Sequence, residues 1–432
     1  MDKDKGCLVF PFSRVNANAI SALLASLDIN EALKDLPTYL PNLRDDFTNL
    51  TSSLQKYEKI ILALSVYSTQ YDEICEVIKK FRSIFSNKSL FIIVGGPHPI
   101  GEPLSLLLKG ADVTCTGEGE WVFPKFIEFV LNDKPWNELP GIAYLVNGKI
   151  IKNPKAQLIN LDDYPPFSVK RNLIRPIEIT RGCAWKCRFC QIRSRGIPVR
   201  HRSVKNVIDY VKHTINYFTE RRPDIRFISP NALSYGSLDG KKVNLEMVER
   251  LLTSIRETIG EAGKIYFGSF PSEVRPETIS KESVLLLKKY TNVKKIVLGG
   301  QSGSNQVLAK SDRGHSSHET ERAVRILINE GFEVNVDIIF GLPGEDQTAV
   351  EETKQHINNL VKMGATIHSH TFMPLVGTPF ASESPGEIDD GYITLITNLQ
   401  QNNMLSGFHV KQEREAKKMA RRRAKFNKRN SD

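Results

Sequence analysis

The sequence has no long hydrophobic run and few cysteines, and each absence excludes a class of protein. No stretch of the chain approaches the ~18 consecutive apolar residues that can cross a membrane. The first residues are charged and lack the apolar segment of a secretion signal. Half of the six cysteines lie in one short segment, which is not a disulfide framework. At 432 residues, these features predict a cytoplasmic protein with more than one domain.

Positive charge is concentrated at the end of the chain. Residues 411–432 contain ten basic and three acidic residues, a net charge of +7, so the formal +10 of the whole chain leaves +3 for the rest. Such a tail has few apolar anchors, and we expect it to be solvated or disordered. Contact with RNA through this tail is the alternative, because a cationic segment binds phosphate without sequence specificity.

Three cysteines stand close together near the middle of the chain. Cys183, Cys187 and Cys190 have the spacing C-x3-C-x2-C. Thiolates are the ligands of iron–sulfur clusters, and three of them leave one iron of a cubane without a protein ligand. The preceding Gly182 would let the backbone approach a bulky group closely. A zinc site with His201 as a distant fourth ligand, or three unrelated thiols, are the alternatives.

Residues 1–150 have the pattern of a doubly wound α/β domain. The continuous apolar runs 60–65 and 90–96 end in small residues and suit parallel strands that are covered on both faces. Residues 70–86 between them have apolar positions at helical spacing. Ligands of such sheets bind at the carboxyl ends of the strands. The candidate binding residues at these ends are Ser65, Gly95, Gly96, His98 and Gly117.

The rest of the chain divides into three parts. Residues 151–176 combine turn formers with prolines and are predicted to be a linker. Residues 177–380 alternate strands and helices and predict an open, partial (βα)6 barrel, with its working groups at the strand ends. Residues 381–432 are predicted to be a helical end and the basic tail. The predicted barrel strands are 177–180, 225–229, 264–269, 294–299, 333–340 and 366–372.

The cysteine spacing, with Phe189 before the last cysteine, resembles the signature of the radical S-adenosylmethionine (radical SAM) enzymes. The resemblance implies a [4Fe-4S] cluster on Cys183, Cys187 and Cys190 and S-adenosylmethionine as cosubstrate. It also implies reductive cleavage to a 5′-deoxyadenosyl radical and an electron donor of the flavodoxin or ferredoxin type.

The ends of the later strands resemble the core of the methylthiotransferases, a radical SAM group that acts on tRNA bases and a ribosomal protein. The shared stretches are 180–183, a looser match at 230–236, 300–308 followed by 313–315, 337–345 and 377–379. The candidate cofactor-binding residues in and near them are Gln301, Ser302, Ser304, Arg313, Asn231, Ser269, Glu273 and Asp337. Arg313 would pair with the methionine carboxylate. Turn formation is the alternative role for these polar residues.

The upstream domain resembles the cobalamin-binding domain that precedes many radical SAM barrels. Gly-Gly-Pro-His-Pro at 95–99 and Gly-Glu-Gly-Glu at 117–120 are the shared residues. The cobalt-ligating pattern Asp-x-His-x-x-Gly is absent, so a Rossmann-like domain without cofactor is the alternative. His98 is either a ligand or a residue that shapes its loop.

Together these features predict a radical SAM enzyme that acts on an unreactive carbon, with cobalamin-dependent methyl transfer as the expected outcome. A tRNA-modifying relative of the methylthiotransferases is an alternative, disfavoured because the cysteines of their second cluster are largely missing. Their C-terminal RNA-binding β-barrel is not expected either. A zinc-stabilised nucleic-acid-binding protein is the alternative that is not an enzyme.

Overall fold

The chain folds into two compact units, Met1–Arg175 and Pro176–Asp432. The structure is a computed structural model that describes residues 5–86, 89–194, 197–219 and 223–430. The boundary between the units falls at the downstream end of the predicted linker. Among the described residues, no helix combines the length and apolar character needed to cross a bilayer.

The first unit alternates strands and helices around one sheet. Its strands are β1 (Gly6–Val9), β2 (Thr38–Tyr39), β3 (Lys59–Ser65), β4 (Ser89–Gly95), β5 (Val113–Cys115), β6 (Ile142–Val146) and β7 (Lys149–Lys152). Its helices are α1 (Ala17–Asp28), α2 (Thr51–Leu54), α3 (Tyr71–Ile84), α4 (Pro97–Gly101), α5 (Pro103–Leu107) and α6 (Gly119–Leu131). The sheet order is β2-β1-β3-β4-β5-β6-β7, and β1 to β5 pair in parallel.

Both faces of this sheet are buried, which explains the continuous apolar strands. Ile60 and Leu62 of β3 pack in a cluster with residues of α3. Ile61, which points to the opposite face, packs with residues of α1 and α6. Helices on both faces of a mainly parallel sheet make the doubly wound, Rossmann-like arrangement. The predicted fold of this region is therefore confirmed.

The second unit continues the alternation. Its strands are β8 (Ile177–Glu178), β9 (Thr180–Arg181), β10 (Arg200–His201), β11 (Asp224–Ile228), β12 (Lys264–Tyr266), β13 (Lys295–Gln301), β14 (Glu333–Phe340), β15 (Thr366–Thr371) and β16 (Leu405–Gly407). Its helices are α7 (Gln191–Ser194), α8 (Val204–Tyr217), α9 (Leu245–Ile259), α10 (Lys281–Tyr290), α11 (Asn305–Lys310), α12 (Ser317–Asn329), α13 (Gln347–Lys362), α14 (Ile393–Gln401) and α15 (His409–Asn430).

Parallel strands of this unit follow one another around an open barrel. One sheet has the order β8-β11-β12 and another the order β13-β14-β15-β16. A parallel bridge between Val274 and Leu298 joins the segment after β12 to β13. The prediction of a partial barrel is confirmed. In the described part of the chain the barrel has a seventh parallel strand, β16, which was not predicted from the sequence. It is three residues long, too short to show an alternation of apolar and polar residues.

Side chains of the barrel strands alternate between the helices and the lumen. Val336 and Ile338 of β14 are fully buried, whereas the intervening Asp337 is half-buried. The same alternation along β15 leaves His368 and His370 half-buried. Because β14 and β15 pair with Asp337 opposite His368, these polar residues share the lumen face.

The described residues of the basic tail lie in one helix, α15. Ala416 and Met419 are buried in this unit, and the Nδ1 atom of His409 lies 2.7 Å from the hydroxyl of Ser369. The prediction of a disordered tail is therefore wrong for the described residues, because two apolar anchors and a buried hydrogen bond hold the helix on the barrel. The alternative prediction of a solvated tail agrees with the outer face of the helix, where Lys411, Arg414 and Arg421 are exposed.

Candidate functional site

The three clustered cysteines line one cavity at the end of the first barrel strands. The cavity has a volume of about 150 Å³, and Cys183, Cys187 and Cys190 all contribute to its wall. Gly182 has a φ of +86°, and a Cβ atom there would lie 2.3 Å from the carbonyl oxygen of Pro198. Only glycine fits this turn. The loop thus presents three cysteine side chains to one space, as a cluster with one open iron requires.

His201 is held away from this cavity. Its Nδ1 lies 3.0 Å from the Thr180 hydroxyl, and its Nε2 lies 3.1 Å from the Ser237 carbonyl oxygen. Burial lowers the pKa of His201. Both ring nitrogens are engaged, so the structure does not support His201 as a fourth ligand of a zinc site.

Two buried arginines point at Cys187. The Nη1 atoms of Arg275 and Arg313 lie 3.5 and 3.4 Å from its Sγ. Burial would raise the pKa of the Cys187 thiol, but the two guanidinium groups lower it. Arg275 also stacks on the Trp185 ring at 4.1 Å and pairs with Glu277. The site therefore favours a thiolate at Cys187, the form that binds iron.

Arg313 keeps one donor available in the cavity wall. Its Nη2 donates to the carbonyl oxygen of Gly299 at 2.7 Å. Its Nε is buried and has no hydrogen-bond partner among the described residues. A buried donor without a partner is costly and fits an anionic group of a ligand. The predicted contact with a methionine carboxylate stays a prediction that this geometry allows.

Gln301 occupies an unusual backbone conformation at the end of β13. Its φ is +76°, which is uncommon for a residue other than glycine, and the β13–β14 register shifts between Gly299 and Gln301. The side chain lines the cysteine cavity and a neighbouring one. Such strain is found at binding sites, where it aims a side chain.

Four other predicted residues do not line either cavity. Ser302 accepts a hydrogen bond from the Ser304 amide at 3.2 Å, as in a turn. Asn231 accepts one from the amide of Arg275 at 3.3 Å. The hydroxyl oxygens of Ser269 and Ser304 are buried and unpartnered among the described residues. Cofactor contact by these four residues stays a prediction.

A polar cluster of Asp337, His368 and His370 lies in the barrel lumen. Asp337 Oδ1 is 3.0 Å from His368 Nδ1 and 3.7 Å from His370 Nε2. The hydrogen bond that His368 donates to Asp337 raises the pKa of His368. Burial would raise the pKa of Asp337, but the two histidines lower it. Burial, with repulsion from Asp337, raises the pKa of the nearby Glu273, which lines the cysteine cavity.

The ligand atoms of this cluster are close enough to hold a metal ion, since they lie within 4.8 Å of one another. The hydrogen bonds of Gln412 argue against one. Its Oε1 accepts from the Thr371 amide at 2.9 Å, so its Nε2 must donate to His370 Nδ1 at 3.1 Å. A neutral His370 then carries its proton on Nε2, the atom that a metal would need. The geometry therefore favours a hydrogen-bonded cluster.

A second cavity of about 220 Å³ adjoins the first in the barrel. Phe189, Gln301 and Asp337 line both cavities. Its wall is mostly apolar, and His370 and Gln412 supply polar atoms beside the shared Gln301 and Asp337. Apolar walls with a few fixed polar groups are typical of sites for organic ligands.

The candidate residues of the first unit lie at neighbouring strand ends. Ser65 and Gly95 are paired at the ends of β3 and β4, and Gly117 follows β5. His98 is buried, with Nδ1 3.1 Å from the Ser68 hydroxyl and Nε2 3.2 Å from that of Ser105. His98 thus shapes its loop. Gly96 is fixed by its φ of +101° and by the Val66 backbone, which a Cβ would meet at 2.9 Å.

Several of these residues were not predicted from the sequence. Arg275 lies in no recognisable motif, and its role depends on the tertiary approach to Cys187. The pairing of His368 and His370 could have been predicted from the sequence, because two histidines at positions i and i+2 of a predicted strand lie on the same face of the sheet. Gln412 belongs to the tail that was predicted to be disordered.

Comparison with known proteins places the barrel in a described superfamily. Residues 177–357 match the model of the Radical SAM superfamily. A putative methylthiotransferase of Methanocaldococcus jannaschii is 26% identical over 310 residues, 69% of this chain and 64% of that protein. An uncharacterized methyltransferase of Pyrococcus horikoshii is 23% identical over 71% of this chain and 66% of its own length. The matches therefore span slightly less than two thirds of these relatives.

Two solved structures share the fold over most of the chain. The radical S-adenosylmethionine methyltransferase TsrM of Kitasatospora setae, with cobalamin and a [4Fe-4S] cluster bound, has a TM-score of 0.68 at 15% identity and covers 88% of this chain and 78% of that chain. The cobalamin-dependent S-adenosylmethionine radical enzyme OxsB has a TM-score of 0.63 at 19% identity. This match covers 82% of the present chain and 52% of the OxsB chain. At these identities the likeness concerns the fold alone.

Proposed function

We propose that this chain, whose residues 177–357 match the Radical SAM superfamily, is an enzyme that transfers a methyl group to an unreactive carbon with the help of cobalamin. The observation that carries the proposal is the convergence of three cysteines on one cavity, in a chain whose first unit has a Rossmann-like fold. The substrate is an organic molecule whose identity the site does not define.

Cys183, Cys187 and Cys190 would hold the [4Fe-4S] cluster of the superfamily. When bound, the cluster supplies the electron that cleaves S-adenosylmethionine, and cobalamin supplies the methyl group. The two guanidinium groups at Cys187 stabilise negative charge there. An electron donor of the flavodoxin or ferredoxin type would deliver the electron.

The barrel residues would bind and orient S-adenosylmethionine and the substrate. Gln301 and the unpartnered Nε of Arg313 are placed to contact polar groups of the cosubstrate. Phe189 and the apolar wall of the second cavity exclude water from a bound organic group. His368 is held by Asp337 as a proton acceptor or donor facing the lumen.

The first unit would bind cobalamin through its strand ends and not through a histidine. Small residues at the ends of β3, β4 and β5 leave room for a large cofactor, as in other doubly wound sheets. Both ring nitrogens of His98 already have hydroxyl partners. We therefore expect no cobalt–histidine bond in the holoenzyme.

The proposal is tested by isolating the protein anaerobically from cells grown with cobalamin and [methyl-²H₃]methionine. A bound corrinoid is expected in the extracted protein, and a metabolite with the intact labelled methyl group is expected in the parent strain but not in a deletion strain. A protein that loads its cluster and yet contains no corrinoid under these conditions contradicts cobalamin-dependent methyl transfer.

The alternative function is tRNA methylthiolation. The enzymes that catalyse it hold a second cluster on cysteines of their first domain, and the cysteines of the first unit here are poorly placed for that role. Cys7 lies inside β1 and Cys115 is the last residue of β5; both are buried, and burial raises the pKa of both thiols to about 12. Cys75 lies on helix α3, away from the strand ends. These thiols are poor ligands for a second cluster. Finding 2-methylthio nucleosides that disappear from the tRNA of a deletion strain would favour this alternative.

A further inference from the structure

Helix α15 has a continuous row of cations along its outer face. With about 100° between successive residues, this outer row lies within an arc of about 80° and spans about 21 Å. All five side chains are exposed. The members of the row are Lys411, Arg414, Lys418, Arg421 and Lys425.

Few acidic side chains neutralise the cations of the outer row. Lys418 pairs with Glu415 at 2.9 Å, whereas the other four cations form no ion pair with a described residue. Neighbours in the row are three or four residues apart, so each adjacent pair of like charges destabilises the helix. This arrangement contributes nothing to folding, and it fits a polyanionic partner that removes the repulsion.

The opposite face of α15 packs against the rest of the second unit, so the outer row faces away from that unit. Ala416 and Met419 are buried, and Arg423 donates to the carbonyl oxygen of Ser382 at 3.2 Å. The apolar side of the helix is therefore used for packing in its own unit. A helix that binds a membrane surface needs this side free for insertion, so a flexible polyanion in solution fits better than a lipid surface.

Phe408 connects the outer row to the barrel. Its side chain is 59% exposed, it directly precedes α15, and its ring lies 5.9 Å from that of His368. Exposed aromatic rings beside a cationic row are typical of proteins that stack unpaired bases. Gln412, on the inner side of the same helix, lines the second cavity.

We infer that α15 and Phe408 form a binding surface for single-stranded RNA, with phosphates along the outer row and a base stacked on Phe408. Four or five phosphate contacts predict that log K falls with log salt with a slope of about −2.8 to −3.5. Affinity should thus fall about 50- to 130-fold between 50 and 200 mM salt.

The test measures fluorescence anisotropy of a labelled oligouridylate of about 12 nucleotides with the purified full-length chain. The variant K411Q/R414Q/K418Q/R421Q/K425Q should bind at least about tenfold more weakly and lose most of the salt slope. F408A should lose at least about fivefold for the oligouridylate and nothing for inorganic polyphosphate. Circular dichroism checks that helix content is kept.

A matched control variant removes five positive charges from the second unit outside helix α15. Five exposed cations on other elements of the second unit, Lys205, Lys212, Lys242, Lys281 and Arg325, are replaced by glutamine. Screening limits distant charges at these salt concentrations, so this control should bind within about twofold of wild type. Equal losses in both variants, equal affinity for duplex DNA, or tighter binding to phosphatidylserine vesicles than to RNA would each overturn the inference.

Discussion

Arg313 should set the reduction potential of a cluster bound at Cys187. Its guanidinium lies 3.4 Å from the Cys187 sulfur and is almost completely buried. A positive charge there stabilises the more negative, reduced cluster, so R313Q should shift the potential to a more negative value. A hydrogen bond to a charged group contributes about 1.5–3 kcal/mol, which corresponds to about 60–130 mV for one electron.

The measurement is a redox titration of the anaerobically reconstituted protein, followed by electron paramagnetic resonance without S-adenosylmethionine. Omitting the cosubstrate separates this effect from any contact of Arg313 with a carboxylate. R325Q, which removes an exposed charge on α12, is the matched control and should not shift the potential. A fully loaded R313Q with the wild-type potential, or an equal shift in R325Q, would refute the reasoning.

Two further predictions concern the cysteine loop and the lumen. G182A should lower the free energy of unfolding in urea by more than the control G331A, and it should prevent cluster loading. Both glycines have φ near +87°, but a Cβ atom would meet the Pro198 carbonyl at position 182 and nothing within 4 Å at position 331. Equal losses would contradict the close contact with Pro198. D337N should lower the pKa of His368 in an NMR titration, because its hydrogen bond to Asp337 raises that pKa. The stability that His368 gains from this pair is present below its unfolded pKa of ~6.5 and is lost as pH rises through the folded value. The stability that Asp337 gains is present above its unfolded pKa of ~3.9 and is lost as pH falls, because its folded pKa is lowered. D337N should therefore be most destabilised, relative to wild type, between about pH 4 and 6.5. An unchanged titration of His368 would count against the pair.

Periodicity predicted the parallel strands of the barrel up to β15. The strand predicted at 333–340 has the bounds of β14, the strand predicted at 225–229 is displaced by one residue from β11, and the strand predicted at 366–372 ends one residue beyond β15. These features depend on local spacing, which a single sequence contains. Strand β16 was missed because three residues cannot establish an alternation.

The candidate site was predicted less completely, because its remaining groups meet only in three dimensions. Arg275 reaches Cys187 across 88 positions of sequence. Helix α15 is held by Ala416, Met419 and a hydrogen bond between His409 and Ser369, a set of anchors too sparse to appear as an apolar stripe. Ser302 illustrates the opposite case, in which a polar residue in a shared motif forms a turn outside both cavities.

The most direct test of the central claim compares C187S with C75S after anaerobic reconstitution. Cys75 is half-buried on α3 in the first unit and serves as a cysteine control. We expect C187S to lose iron and to form no 5′-deoxyadenosine with a reductant and S-adenosylmethionine, while C75S keeps both. Unchanged iron content and reductive cleavage in C187S would contradict a cluster at this loop.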